Sequence, residues 1–207
     1  MKTDVMVDVD IENPKARQIL EGARTAFLEL GYEGTSTDEI VRRAGVSKGT
    51  LYNYFPNKQT LFRAFVELEC SQHADRIFKI EDPTQDTEAT LRQIAQHFIA
   101  LLISPFAQNI YRLATGEAQR FPCLARTFFN SGPDLGTRHL TQFLSAAVAR
   151  GDLKIDDIEL AAQQFLELCK ADIFLKCTFH IQDSFTPEEI DRVANGAVDM
   201  FLRAYRP

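Results

Sequence analysis

The chain has 207 residues, 45% of them hydrophobic and 25% charged, which suffices for a buried core and excludes a wholly disordered or fibrous chain. Its formal charge of −6 argues against a nucleic-acid partner only until it is divided: residues 1–13 carry −3, residues 14–63 carry +3, and residues 64–207 carry −6. A net positive charge is found only in residues 14–63, and an acidic remainder would be repelled by a polyanion and favour docking by that basic end.

The first twelve residues, MKTDVMVDVDIE, interrupt their valines with four acids and read as a flexible acidic tail rather than a targeting segment. Asn13-Pro14 then supplies a cap and a first-turn proline for a long helix. Its apolar stripe is Ile19, Leu20, Ala23, Ala26, Phe27 and Leu30, ended by Gly31, and it forms a floor for two shorter helices. Ser36 with Glu39 has the spacing of a capping box, which starts the first of these near Thr37. Ile40, Val41 and Ala44 give it one apolar face, and Gly45 stands where a helix leaves through a left-handed residue. Val46 precedes a second cap, Ser47, and another short helix carries Lys48, Gly49, Thr50, Leu51, Tyr52, Asn53 and Tyr54. Helices this short do not stand alone. Residues 13–58 therefore predict a three-helix helix-turn-helix domain.

The outward side of the last of these helices has the chemistry of a DNA reader. Ser47, Lys48 and Thr50 lie in its cap and first turn, where a phosphate is favoured by amides and side chains together. Gly49 leaves room for the duplex to approach. Tyr52, Asn53 and Tyr54 offer hydroxyls, an amide and ring faces to base edges and phosphates in a major groove. Leu51 and Phe55 point inward. After Pro56, Asn57 caps a further helix whose first residue, Lys58, is a second expected phosphate contact.

From Asn57 a helix is predicted through Leu61, Phe62, Phe65, Val66, Leu68 and Ile77 to about Ile80, with no Gly, Pro or Ser-rich linker separating it from the DNA unit. Asp82-Pro83 breaks it. Further helices are expected over about 86–103, from Ser104-Pro105 to about Gly116, from Pro122 to Phe129, and from Gly132-Pro133 to Arg150-Gly151. Asp156 or Asp157 should cap a long helix reaching about Phe179. Thr186-Pro187-Glu188-Glu189 combines a capping box with a first-turn proline, ahead of the stripe Ile190, Val193, Ala194, Ala197, Val198, Phe201, Leu202 and Tyr205. No segment alternates with period two, so the fold is predicted to be all-α.

The run GVSKGTLYNYFPNKQTLF resembles the signature of the TetR family of bacterial transcriptional repressors, and the likeness extends back to Ala16. FPCLARTFFNSGP, ARGDLKIDDIELAAQQFLEL and AVDMFLRAY resemble the C-terminal domain of an AefR-like subgroup. Gly22 and Val41 stand where alanine is commoner in the family, a departure expected to loosen the first two helices. A single three-helix reader covers only a few base pairs, so a two-fold dimer on a palindromic operator is expected. Its interface is built mainly from the last two helices, about 156–179 and 187–205, with Phe201, Leu202 and Tyr205 either at that interface or buried in their own subunit. The resemblance implies a helical-bundle ligand-binding and dimerisation domain over 59–207, with a small, largely apolar inducer. Phe62, Phe65, Phe98, Phe106, Tyr111 and Phe128 are the aromatic candidates for its site, and His97, Asn109, Arg112 and Glu117 the polar ones. At helical spacing each aromatic is more often plain core than a ligand contact.

Other functions find no residues to rest on. There is no phosphate loop, no Gly-x-Ser-x-Gly and no metal-spaced His pair, so no enzyme, cofactor or metal is expected. Cys70, Cys123, Cys169 and Cys177 are scattered and read as reduced core thiols rather than a zinc site, disulfides or a redox sensor. The longest apolar run, Phe98 to Ile103, is far short of the roughly 20 residues of a membrane span, so a cytoplasmic protein is expected. The alternatives are a helical protein-interaction module, or an activator without an inducer. The module would not need Lys48, Thr50, Tyr52, Tyr54 and Lys58 on one side.

Overall fold

The computed structural model describes residues 13–78 and 86–207. The expected acidic tail and the break at Asp82-Pro83 lie outside the described residues. Within them all regular structure is helical: α1 (Pro14–Gly34), α2 (Thr37–Ala44), α3 (Lys48–Tyr54), α4 (Lys58–Ile77), α5 (Thr87–Leu102), α6 (Pro105–Gly116), α7 (Pro122–Ser131), α8 (Pro133–Arg150), α9 (Ile158–Leu168), α10 (Ile173–Thr178) and α11 (Pro187–Tyr205). They form two compact units. The first holds the described residues up to Glu69 together with Leu113–Phe128, and the second holds Cys70–Arg112 and Phe129–Pro207.

In the first unit, Asn13 caps α1 by accepting from the Lys15 amide at 2.9 Å. The helix is interrupted at Gly31, whose φ of 70° and ψ of 176° are not helical. This turn decides what the end of α1 buries. Leu30, expected in the stripe, is 45% exposed, while Tyr32 is buried and stacks on Phe27 with centroids 5.9 Å apart. Phe62 meets both rings edge-on at 5.1 Å, Phe65 stacks on Phe27, and Phe121 closes on Tyr32 at 5.4 Å. Aromatic packing of this kind adds to the burial of large apolar surface.

Ser36 caps α2 as expected, accepting from the Glu39 amide at 3.1 Å. The carboxylate of Glu39, however, is taken by Arg42 and Arg43 rather than turned back to the cap. Hydrogen bonds from those two guanidinium groups hold its pKa down to about 2. Gly45 leaves α2 at φ 62° and ψ 40°, the left-handed exit.

The second unit is cored by α5, α8, α9 and α11, with Leu91, Ile99, Leu140, Leu144, Phe165 and Phe201 among its buried side chains. Gln96 donates to Asp191 at 2.7 Å and Arg92 bridges Glu88 and Asp199, which fastens α5 to α11. The latter starts in a complete capping box between Thr186 and Glu189. The single helix expected up to Phe179 is two helices, because Asp172 adopts a φ of 64°. Its carboxylate is held there by Lys176 and Arg192. Cys70, Cys169 and Cys177 are buried and Cys123 partly so; burial pushes the Cys169 thiol up to about 12.

Gly22 corrects the expected looseness. A Cβ built there would lie 2.6 Å from the Ala44 amide nitrogen and 2.7 Å from its Cβ, so glycine permits close approach of α1 and α2. Gln18 donates to the Ala44 carbonyl at 2.6 Å beside it. In an open helix Gly→Ala would gain about 1 kcal/mol, but overpacking against backbone costs about 1–3 kcal/mol. Gly22→Ala is therefore expected to lower the melting temperature by several degrees at about 2–4 °C per kcal/mol, measured by circular dichroism. A melting point at or above the parent's would show that the crossing opens without cost.

Candidate nucleic-acid interface

The expected reader is α3, seven residues long and held by what it buries. Leu51 and Phe55 are fully buried, so the rest of its surface turns outward. Ser47 caps it, accepting from the Thr50 amide at 3.0 Å and sharing a hydrogen bond with the Thr50 hydroxyl at 2.8 Å. Ser47, Lys48, Gly49, Tyr52 and Asn53 are exposed, whereas Thr50 and Tyr54 are half-buried. A Cβ at Gly49 would meet only the Ser47 hydroxyl at 3.7 Å, so nothing within the protein requires a glycine there.

Several of these side chains already have partners. Lys48 Nζ lies 2.6 Å from Asp38 Oδ1, and the Tyr52 hydroxyl reaches Thr37 Oγ1 at 3.5 Å. The Tyr54 hydroxyl donates to the α1 cap, Asn13, at 3.3 Å. Lys58 is the most committed. Its ammonium donates to the carbonyls of Tyr32 at 2.9 Å and Thr35 at 3.1 Å, and lies 4.4 Å from the centre of the Tyr32 ring. An ammonium carries three donors, so one remains after these two bonds. The sequence pointed to Lys58 as a phosphate contact and missed that it ties the turn between α1 and α2 to the start of α4. It also missed Thr37 and Asp38, which lie ten or more positions from their partners across a turn and leave no local pattern.

The expected ligand residues fall into two groups. Phe62, Phe65 and Phe128 belong to the first unit, the former two in its aromatic core, while His97, Phe98, Phe106, Asn109, Tyr111 and Arg112 belong to the second. His97 is exposed. Phe106 stacks on His73 at 5.0 Å, Tyr111 meets Phe174 edge-on at 5.0 Å, and Arg112 donates to Asn109 at 2.9 Å. Beside them stands a residue the sequence did not single out. Gln108 is 3% exposed; its Nε2 donates to the Leu102 carbonyl at 2.7 Å, and among the described residues no group donates to its Oε1. A buried polar side chain at one position of an amphipathic helix gives no signal in a single sequence.

Among the described residues no group of three or more His, Cys, Asp or Glu could hold a metal, and no helix is long and apolar enough to cross a membrane. Residues 19–65 match the family described as bacterial regulatory proteins, tetR family, and residues 89–207 match the AefR-like transcriptional repressor C-terminal domain. The chain is 28% identical over 180 residues to the HTH-type transcriptional regulator YhgD of Bacillus subtilis, covering 77% of this chain and 83% of that one. It is 34% identical over 61 residues to the HTH-type transcriptional repressor AcnR of Corynebacterium diphtheriae, covering 30% of this chain and 32% of the other. Among solved structures it resembles one described as a TetR-family transcriptional regulator from Mesorhizobium loti, with TM-score 0.85, 30% identity and coverage of 93% and 97%. The flavonoid-responsive regulator FrrA is similar with TM-score 0.81, 35% identity and the same coverage, 93% and 97%. The matched families and relatives are regulators, not enzymes.

The two lysines should separate on mutation. Lys58→Ala strands two backbone carbonyls, a loss of about 1–3 kcal/mol where they are buried, and should lower the melting temperature by several degrees. Lys48→Ala removes an exposed side chain and should leave stability within about 0.5 kcal/mol. Thermal melts of both variants test this, and equal melting points would refute the framework role of Lys58.

Proposed function

Because the chain belongs to the TetR family of bacterial DNA-binding transcriptional regulators, we propose that it is a cytoplasmic repressor. It binds a palindromic operator as a homodimer and leaves it when a small, largely apolar ligand binds. The observation that carries this reading is α3: a capped helix anchored by buried Leu51 and Phe55, with Lys48, Gly49, Tyr52 and Asn53 exposed. In the major groove Lys48, Ser47, Thr50 and the remaining donor of Lys58 address phosphates, and Tyr52, Asn53 and Tyr54 the base edges. The first unit, reaching Glu69 and including Leu113–Phe128, serves as the DNA-binding part and the second, Cys70–Arg112 with Phe129–Pro207, as the ligand-binding and dimerisation part, in place of the division after residue 58 expected from the sequence. Repression is favoured by the AefR-like repressor match and by AcnR.

A three-helix reader covers few base pairs, so specificity favours two half-sites about 34–36 Å apart or a multiple of that. The surface offered to a second copy is a groove of about 620 Å³ between α9 and α11, lined by Leu160, Leu168, Ala171, Met200 and Tyr205 among others. Phe201 does not serve as the exposed anchor. It is buried in its own unit, edge-on to Phe165 at 5.1 Å. Leu160 and Met200, 48% and 60% exposed, take that role. Met200→Asp should therefore fold, run as a monomer in light scattering and lose affinity for operator, whereas a dimer of unchanged stability would remove this face from the interface.

The ligand belongs to the second unit, around Phe98, Phe106, Asn109, Tyr111 and Arg112 on α5 and α6, with Gln108 at its polar end. Leaving a buried acceptor without a donor costs about 1–3 kcal/mol, and a ligand hydroxyl would supply that donor. FrrA, the flavonoid-responsive relative, makes hydroxylated flavones the first class to screen. Helix α4 is unbroken from Lys58 to Ile77, and a ligand that favours the non-binding arrangement shifts the equilibrium by its difference in affinity, typically about 1–3 kcal/mol. Gln108→Leu should keep DNA affinity while weakening thermal stabilisation by hydroxyflavones more than by their methylated analogues. Equal loss for both series would take Gln108 out of the site.

A further inference from the structure

The first turn of α2 lies on the same surface as the outward side of α3. Lys48 Nζ is 2.6 Å from Asp38 Oδ1, with 55% and 69% of the two side chains exposed, and Tyr52 reaches Thr37 at 3.5 Å. The other acids around α2 have different partners: Glu39 holds Arg42 and Arg43, and Glu29 holds Arg43. Asp38 is thus paired with a residue assigned to the DNA.

A duplex that approaches Lys48 must also meet this carboxylate. While the pair stays closed, its net charge is zero and Lys48 releases no counterion from the phosphates. When it opens, Lys48 is free for a phosphate, and a carboxylate is left beside a polyanion. The opening itself is easy, since an exposed ion pair contributes about 0–1 kcal/mol. The stranded carboxylate is the obstacle, and only a donor relieves it. In the major groove the donors are the amino groups of cytosine and adenine, so the cost falls on every sequence and its relief on some. Repulsion applied to all partners and offset for one is a general route to specificity.

We propose that Asp38 is a specificity-determining residue of the DNA interface: it masks Lys48 on indifferent DNA and yields it where a base-edge amino group donates a hydrogen bond to the carboxylate. The proposal rests on α3 being the reading helix. It adds an acid to the interface, at a position the charge count treats only as a deduction from the basic segment.

The experiment compares the full-length protein with Asp38→Asn, using a random 30-base-pair duplex pool and the duplex that the parent selects from that pool. Affinity is read by fluorescence anisotropy across a salt series. Asp38→Asn should bind the pool about three- to tenfold more tightly, with a salt slope steeper by up to about one, and bind the selected duplex with little gain. Selection repeated with Asp38→Ala, which has no acceptor for a base amino group, should lose its base preference at one position in each half-site. In a Lys48→Ala background the steepening of the salt slope should vanish, because no masked cation is left to reach a phosphate, and only the relief of carboxylate repulsion should remain. An equal tightening on both duplexes, with the same change of slope in the presence and absence of Lys48, would make Asp38 a bystander charge and overturn the proposal, as would no change at all. If Lys48→Ala and Tyr52→Ala leave both affinities unaltered, α3 is not the reader and the proposal falls with that reading. If those two weaken binding and Asp38→Asn does nothing, the proposal alone falls.

Discussion

Helix α3, the proposed reader, depends on the contact between Gly22 and Ala44. Neither α2 nor α3, eight and seven residues long, could hold its shape in water, because nucleation is costly and few hydrogen bonds reward it. Both borrow their order from α1. The backbone of α2 comes so close to α1 that a methyl group at residue 22 would overlap it. At that distance Ile40 and Ala44 become part of the core, and Gly45 directs the chain into the turn that starts α3. Loss of that proximity would move the floor under Leu51 and Phe55, and with it the direction in which Tyr52 and Asn53 point.

A second tie works from the other side. Lys58 places its charge on the carbonyls of Tyr32 and Thr35, next to the Ser36 cap of α2, while the Tyr32 ring lies beneath the ammonium. Tyr32 is buried and its hydroxyl pKa is raised to about 12, chiefly by desolvation. The same ring packs against Phe27, Phe62 and Phe121, so the residues Leu113–Phe128 are built into the unit that carries the reader. The first residue of α4 therefore belongs to the framework of the DNA unit, whatever use its third donor finds.

Caps and stripes were legible from the sequence. Asn13, Ser36, Ser47, Asp157 and Thr186 each cap the helix expected of them, because capping is a local exchange between a side chain and an amide a few residues on. What the sequence hid was long-range or conformational. Leu30 fits the stripe of α1, but the left-handed turn at Gly31 hands its place to Tyr32. Asp172 looks like an ordinary helical residue until Lys176 and Arg192 are seen to hold it. Glu39 has the spacing of a capping box, yet two nearby guanidinium groups outcompete the cap amide. The site shows the same division: α3 could be read from its own residues, whereas Asp38 and Gln108 gain meaning only from neighbours brought in by the fold.

The same division bears on what the basic segment contributes. Residues 14–63 carry a formal +3, but Arg24, Arg42, Arg43, Lys48 and Arg63 are each within 4 Å of a carboxylate and Lys58 is on carbonyls. The segment attracts a duplex through its net field. On the proposed DNA face, Lys48 must exchange Asp38 for a phosphate and Lys58 keeps two of its three donors on carbonyls, so each adds less than a free lysine would. Under that reading the interface gains little on arbitrary DNA and relies on base contacts to tip the balance. With a proposed reader of only seven residues, those contacts are few in one subunit, which is why the proposed function includes a second, symmetric copy.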